Sequence, residues 1–92
     1  MKMGRSFSLD ATIELDGKFI LGTRVNITEL QDSQGRSDWT GTFTIPAREI
    51  IEPGEYRIVL EDGRSGFIII AYAPSSSNSA MTGYFEGNGP LS

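Results

Sequence analysis

The residues that most often do chemistry in proteins are missing from this chain. Its 92 residues include no histidine and no cysteine, which removes the commonest general base, the commonest metal ligand and every thiolate site. Serine hydroxyls are plentiful, but a serine nucleophile needs a base beside it. The lysines open to that role, Lys2 and Lys18, fall at the terminus and in a turn. Carboxylates remain, with 12 Asp and Glu. Two facing carboxylates cleave glycosides, and a dense loop of them binds calcium. Asp10, Thr12 and Glu14 alternate along one face of an extended segment, which is the spacing of a solvated strand face. Asp32 and Asp38 lack the ligand density of a calcium loop, and no glycine-rich phosphate loop is present. The expectation is a non-enzymatic protein with no cofactor and no metal.

Aromatic and basic side chains offer the other chemistry. Trp39 and Tyr84 are candidates for stacking on a base or a small ligand, with Arg24 and Arg57 holding phosphate, as on an OB-like or SH3-like barrel. The 8 basic residues are scattered, however, no two are adjacent, and the net charge is −4. Phosphate recognition needs a local positive patch, so Arg24, Arg57 and Arg64 would have to converge in three dimensions. Nucleic acid is therefore the weaker expectation. Trp39 obeys strand alternation, and its expected place is the core.

Strands must position these side chains. The clearest stretch runs from Ile50 to Ala73. Tyr56, Ile58 and Leu60 alternate with Arg57, Val59 and Glu61, a strand with one buried face. Asp62-Gly63 reverses the chain. The return strand carries Phe67, Ile68, Ile69 and Ile70 without a break, so both of its faces are apolar. A two-residue loop sets Ile58 opposite Phe67 and Tyr56 opposite Ile69. A three-residue loop with Gly63 in a bulge sets Ile58 opposite Gly66 and Tyr56 opposite Ile68. The pattern does not choose between them. The segment Ile51-Glu52-Pro53-Gly54-Glu55-Tyr56 resembles the tyrosine-corner motif of Greek-key β-sandwiches. That resemblance implies a Tyr56 hydroxyl bonded to backbone a few residues upstream, pinning a strand crossover.

The other strands are read from the same alternation. Ser6–Leu15 buries Phe7, Leu9, Ala11, Ile13 and Leu15; residues 19–28 bury Phe19, Leu21, Val25 and Ile27. Phase agreement between them asks for an odd loop at Leu15-Asp16-Gly17, with a G1 bulge, Ile13 opposite Phe19, and Ile20 left outside. Asp38–Ile45 puts Trp39, Gly41, Phe43 and Ile45 on one face, and Gly41 leaves space for a side chain packing across it or marks a bend. Pro46–Glu52 admits at most one short helical turn, with Ile50 and Ile51 inward. Met81–Glu86 is a sixth short strand, in which Tyr84 and Phe85 point to opposite faces and Gly83 hints at a bulge. Leu91 is placed to fold back on the core. Residues 29–37 and 74–79 read as solvated, flexible connections.

One all-β domain spanning residues 1–92 follows, a small antiparallel barrel or sandwich of about six strands, with the strand count favouring a barrel. A chain this short buries only about 60–65% of its unfolded surface. The surplus apolar positions Ile20, Val59, Ile68, Ile70 and Tyr72 therefore mark an expected interface. Glu at Ile68 or Ile70 should then break an assembly without unfolding the monomer. The expected partner is a second copy (a homo-oligomer) or another protein. No stretch is apolar for long enough to span a membrane, and the N-terminus lacks the apolar core of a signal peptide, so the cytoplasm is the expected compartment.

Overall fold

The computed structural model describes residues 3–31, 37–72 and 78–92. Six strands form a closed antiparallel barrel in the order β1-β2-β3-β6-β5-β4. They are β1 (Met3–Leu15), β2 (Lys18–Gln31), β3 (Ser37–Ile45), β4 (Gly54–Leu60), β5 (Ser65–Tyr72) and β6 (Met81–Asn88). The order resolves into two three-stranded meanders, β1-β2-β3 and β4-β5-β6, which close through β1–β4 and β3–β6 pairing. Strands β3 and β4 lie on opposite sides of the ring, so residues 46–53 cross one barrel end. That crossover is not helical. It is a turn in which the Glu49 N–H donates to the Pro46 carbonyl at 3.1 Å and Arg48 takes φ 70°. Ile51 plugs the end while Ile50 is 69% exposed, so one of the two isoleucines expected inside is outside.

The interior holds Leu9, Ala11, Ile13, Leu21, Val25, Ile27, Phe43, Ile45, Ile58, Leu60, Ile68, Ile70 and Phe85, together with Trp39, Ile51 and Tyr56. Its aromatic rings need room that only glycine gives. Gly41 pairs with Phe85 and Phe43 with Gly83 in one continuous register, so neither glycine sits in a bulge. A β-carbon at Gly41 would meet the Phe85 ring and lie 2.7 Å from the Asn26 carbonyl oxygen. A β-carbon at Gly87 would collide with the Trp39 indole. Trp39 is core, as its alternation predicts, and its Nε1–H donates to the Gly89 carbonyl at 2.9 Å. The tail then returns to β5 through two backbone bonds between Ser65 and Ser92, with Leu91 packed on the core.

The tyrosine corner is present, although in a barrel rather than a sandwich. Tyr56 Oη donates to the Glu52 carbonyl at 2.7 Å, pinning the end of the crossover to the start of β4. Burial and the nearby Glu52 carboxylate push the phenol above its ordinary pKa. The β4–β5 register is the three-residue alternative, Ile58 opposite Gly66 and Tyr56 opposite Ile68, with Gly63 at φ 96°.

The first hairpin corrects the expected loop. Asp16 and Gly17, at φ 52° and 80°, form a two-residue turn of the I′ type between Leu15 and Lys18. The phase mismatch is absorbed inside the ladder instead, where Glu14 pairs with Phe19 and Ile13 with Leu21. The extra residue turns Phe19 outward, to 68% exposure, while Leu21 stays inside. The expected flexible connections fall largely on residues 32–36 and 73–77, which lie outside the described residues.

Candidate interaction surface

The two meanders share one interior and present different exteriors. Outside β1, β2 and β3, polar side chains bond to one another across the strands. Ser6 and Thr28 share a hydroxyl pair at 3.1 Å, Ser8 donates to Asn26, and Asn26 donates to Thr42 at 3.4 Å. Arg24 meets Asp10 at 3.3 Å. Outside β5 and β6 the alternate positions are Phe67, Ile69 and Tyr84, exposed at 53, 41 and 51%.

This apolar strip has a polar rim. Phe67 lies between Arg57 and Asn88, and Ile69 between Glu55 and Glu86. Asn88 Nδ2 reaches over β5 to Glu55 Oε2 at 3.0 Å. Towards the β1–β2 turn, Phe67 and Leu15 share a groove of about 270 Å³ with Glu14, Tyr56 and Arg57. On the other side of Tyr84 lies a groove of about 340 Å³, walled by Asn26, Thr28, Thr40, Thr42 and Glu86.

The residues expected at an interface separate on this geometry. Ile68 and Ile70 are fully buried inside the barrel and cannot meet a partner. The register explains the correction: Tyr56 opposes Ile68, so the residues sharing a face with inward Tyr56 and Ile58 are Ile68 and Ile70. The outward residues of β5 are their neighbours, Phe67 and Ile69. Glu at Ile68 or Ile70 would therefore unfold the protein rather than dissociate it. Val59 is half-buried on the outer face between Thr12 and Ser65. Ile20 is half-buried and packs against the core. The Tyr72 side chain lies outside the described residues.

The stacking set is also dispersed. Trp39 is 5% exposed and capped by the tail, which removes it as a stacking platform. Tyr84 is on β6, Arg24 on β2 and Arg57 on β4, and no two of these strands are neighbours in the barrel. Arg24 is held by Asp10, and Arg57 lies 3.7 Å from Glu14 and donates to Ser65 Oγ at 3.3 Å.

One cluster has no local signal in the sequence. At the barrel end closed by the tail, the Arg64 guanidinium lies 4.7 Å from the centre of the Phe7 ring, and that of Arg5 lies 5.7 Å away. Both arginines converge on Glu29 Oε1, at 3.1 Å from Arg64 and 3.3 Å from Arg5. The Arg64 backbone N–H, and then its guanidinium, hold the Asp62 carboxyl below its ordinary pKa. These contacts join residues far apart in sequence and tie the β4–β5 loop to the β1–β2 hairpin. Among the described residues, no group of three or more acids is gathered as metal ligands.

Compared with protein-family models, with curated proteins and with solved structures, the chain matches none of them.

Proposed function

We propose that this barrel is a non-enzymatic protein-binding or self-assembling module, and that the outer face of β5 and β6 is its contact surface. The observation that carries this reading is the contrast between the outer face of β5 and β6 and that of β1-β2-β3, whose exposed apolar side chains Leu15 and Phe19 are confined to the β1–β2 turn. Fold stability explains the interior of both meanders, but it does not call for Phe67, Ile69 and Tyr84 on an exposed strip. An apolar strip rimmed by Arg57, Asn88, Glu55 and Glu86 has the composition of a contact patch, apolar at its centre and charged at its edge. The test is absolute molar mass by light scattering for the wild type and a Phe67→Glu/Ile69→Glu double variant. The expected result is a wild-type mass above 10.1 kDa that rises with concentration and is lowered in the variant. Equal masses for the two proteins count against the strip.

A second reading, small-ligand binding, draws on the groove beside Tyr84, where one aromatic faces Asn26, Thr40, Thr42 and Glu86. An oligonucleotide fits this groove poorly, because Arg57 lies on another strand and Arg24, on β2 beside the groove, is engaged by Asp10. Single-stranded DNA titrated at low salt, followed by Tyr84 resonances, should leave them unmoved.

A further inference from the structure

Among the described residues the barrel leaves strand edges open on β2, where Lys18–Arg24 has no β3 partner, and on β1. Strand β4 pairs with β1 only from Ala11 to Glu14 and ends at Leu60, whereas β1 begins at Met3. Among the described residues the stretch from Met3 to Leu9 therefore has β2 on one side and no strand on the other, an open length of about 23 Å. Backbone direction along it follows from Asp10. The Asp10 carbonyl accepts from the Glu61 N–H, and the Asp10 N–H donates to Glu61 Oε1, both at 3.0 Å. Asp10 thus points its backbone groups away from β2. No register shift interrupts β1 before Ile13, and strand polarity alternates. Ser8, Ser6 and Gly4 therefore point their N–H and C=O groups the same way. Among the described residues nothing bonds to these groups on that side.

Natural edges are guarded by proline, bulges, inward charges or a covering segment. From Met3 to Leu9 there is no proline, the irregularity in β1 lies at Ile13/Glu14, beyond the open stretch, and the one charge, Arg5, shares the face of Phe7 but is paired with Glu29 and 70% exposed. We propose that this edge pairs antiparallel with the same edge of a second copy, about a two-fold axis through Ser6. The inference rests on reading the protein as a contact module but uses a different surface.

The register is set by the free groups. An axis at Ser6 pairs Ser6 with Ser6 and Gly4 with Ser8 twice over, so every free backbone group of the three residues is used. An axis at Ser8 would bring Ser6 against Asp10, whose groups are already bonded to Glu61. An axis at Gly4 leaves Ser8 without a partner strand. The Ser6 axis also sets Arg5 of one copy opposite the partner's Phe7, and Phe7 opposite the partner's Arg5. The Arg5 side chain is 70% exposed, reaches Glu29 at 3.3 Å and already lies over its own Phe7, so the partner's Phe7 ring comes within its reach at each end. No like charges are opposed. The product is one continuous sheet, β3-β2-β1 running into its symmetry mate, with an isologous interface.

Two substitutions test it. Ser6→Pro removes the central N–H, which faces away from β2, so the β1–β2 ladder keeps its bonds. Ser6→Cys places two thiols across the axis, where Cα atoms of a hydrogen-bonded pair lie about 5.5 Å apart, within disulfide range. The chain has no other cysteine. Expected are a wild-type mass approaching twice 10.1 kDa, a Ser6→Pro dimer weakened about tenfold or more, and covalent dimerisation of Ser6→Cys on mild oxidation. Thr12→Cys, on the same face but beside β4, should stay monomeric under that oxidation. If Ser6→Pro fails to fold, the cross-linking contrast decides. A wild-type mass of one chain at every concentration, or Ser6→Cys coupling no faster than Thr12→Cys, overturns the inference. A mass that drops in Phe67→Glu/Ile69→Glu but not in folded Ser6→Pro overturns the edge and leaves the β5–β6 contact surface standing.

Discussion

The two meanders of this barrel solve the same interior problem and part company outside. Both contribute aliphatic and aromatic side chains to one core. Away from the β1–β2 turn, where Leu15 and Phe19 are exposed, the exterior of β1-β2-β3 is a lattice of hydroxyl, amide and ion-pair contacts, Ser6 to Thr28, Ser8 to Asn26 to Thr42, and Asp10 to Arg24. The exterior of β5-β6 carries Phe67, Ile69 and Tyr84. The first meander shows what an outward strand face needs in order to meet water. The second departs from it without a gain in packing, and that departure is the evidence for a contact surface. The open edge of β1 belongs to the first meander, so the two surfaces lie on different parts of the barrel.

The largest expected effect separates adjacent residues of β5, one buried and one exposed. Ile68→Ala empties a fully buried site and should cost about 2–5 kcal/mol in denaturant unfolding. Ile69→Ala, one residue on and outward, should stay within about 0.5 kcal/mol. Equal costs would mean that the two faces of β5 are wrongly assigned. Gly87→Ala tests the shared interior from the glycine side. With the Trp39 indole in the way and Trp39 itself held by Gly89, we expect a loss of about 1–3 kcal/mol. Thr44→Ala, exposed at the other end of the β3–β6 ladder, serves as the control with little change.

Smaller effects are expected at the crossover into β4 and in the β4–β5 loop. Tyr56→Phe removes the bond to the Glu52 carbonyl that anchors the crossover into β4, and should cost about 1 kcal/mol. Because the folded phenol has a raised pKa, its contribution is whole below the unfolded tyrosine pKa and is lost as pH rises through the folded value. The alkaline limb of wild-type stability should therefore be steeper than that of Tyr56→Phe. Asp62 works in the opposite sense. Its folded pKa is lowered, so its contribution is present above the unfolded carboxyl pKa and fades as pH falls through the folded value. Asp62→Asn should flatten the acid limb by the least of these effects, since the group is exposed. Thermal melts from pH 3 to pH 11 check both.

The legible part of the fold was whatever alternation decides locally. Tyr56, Ile58 and Leu60 point inward as their spacing says, Trp39 is core, and Gly63 gives the odd β4–β5 loop that the pattern allowed. Illegible were the places where neighbouring positions are all apolar. In Phe67-Ile68-Ile69-Ile70 either parity satisfies the pattern, and the choice falls to pairing with Tyr56 and Gly66 across the hairpin. In Phe19-Ile20-Leu21 the same ambiguity hides a shift inside the ladder, which turns Phe19 outward while Leu21 stays inside. Ile50 and Ile51 differ only in how the crossover meets the barrel end. The open edge of β1 has no local signal, because it depends on where β4 stops. Nor does the convergence of Arg5 and Arg64 on Phe7 and Glu29, which the barrel assembles from distant segments.

The most direct measurement is absolute molar mass over a wide concentration range, for the wild type beside Phe67→Glu/Ile69→Glu and Ser6→Pro. The predicted result is a wild-type mass climbing above 10.1 kDa and lowered by outward substitutions that leave the melting temperature unchanged. A single mass of 10.1 kDa for all three proteins at every concentration would contradict self-association through either surface.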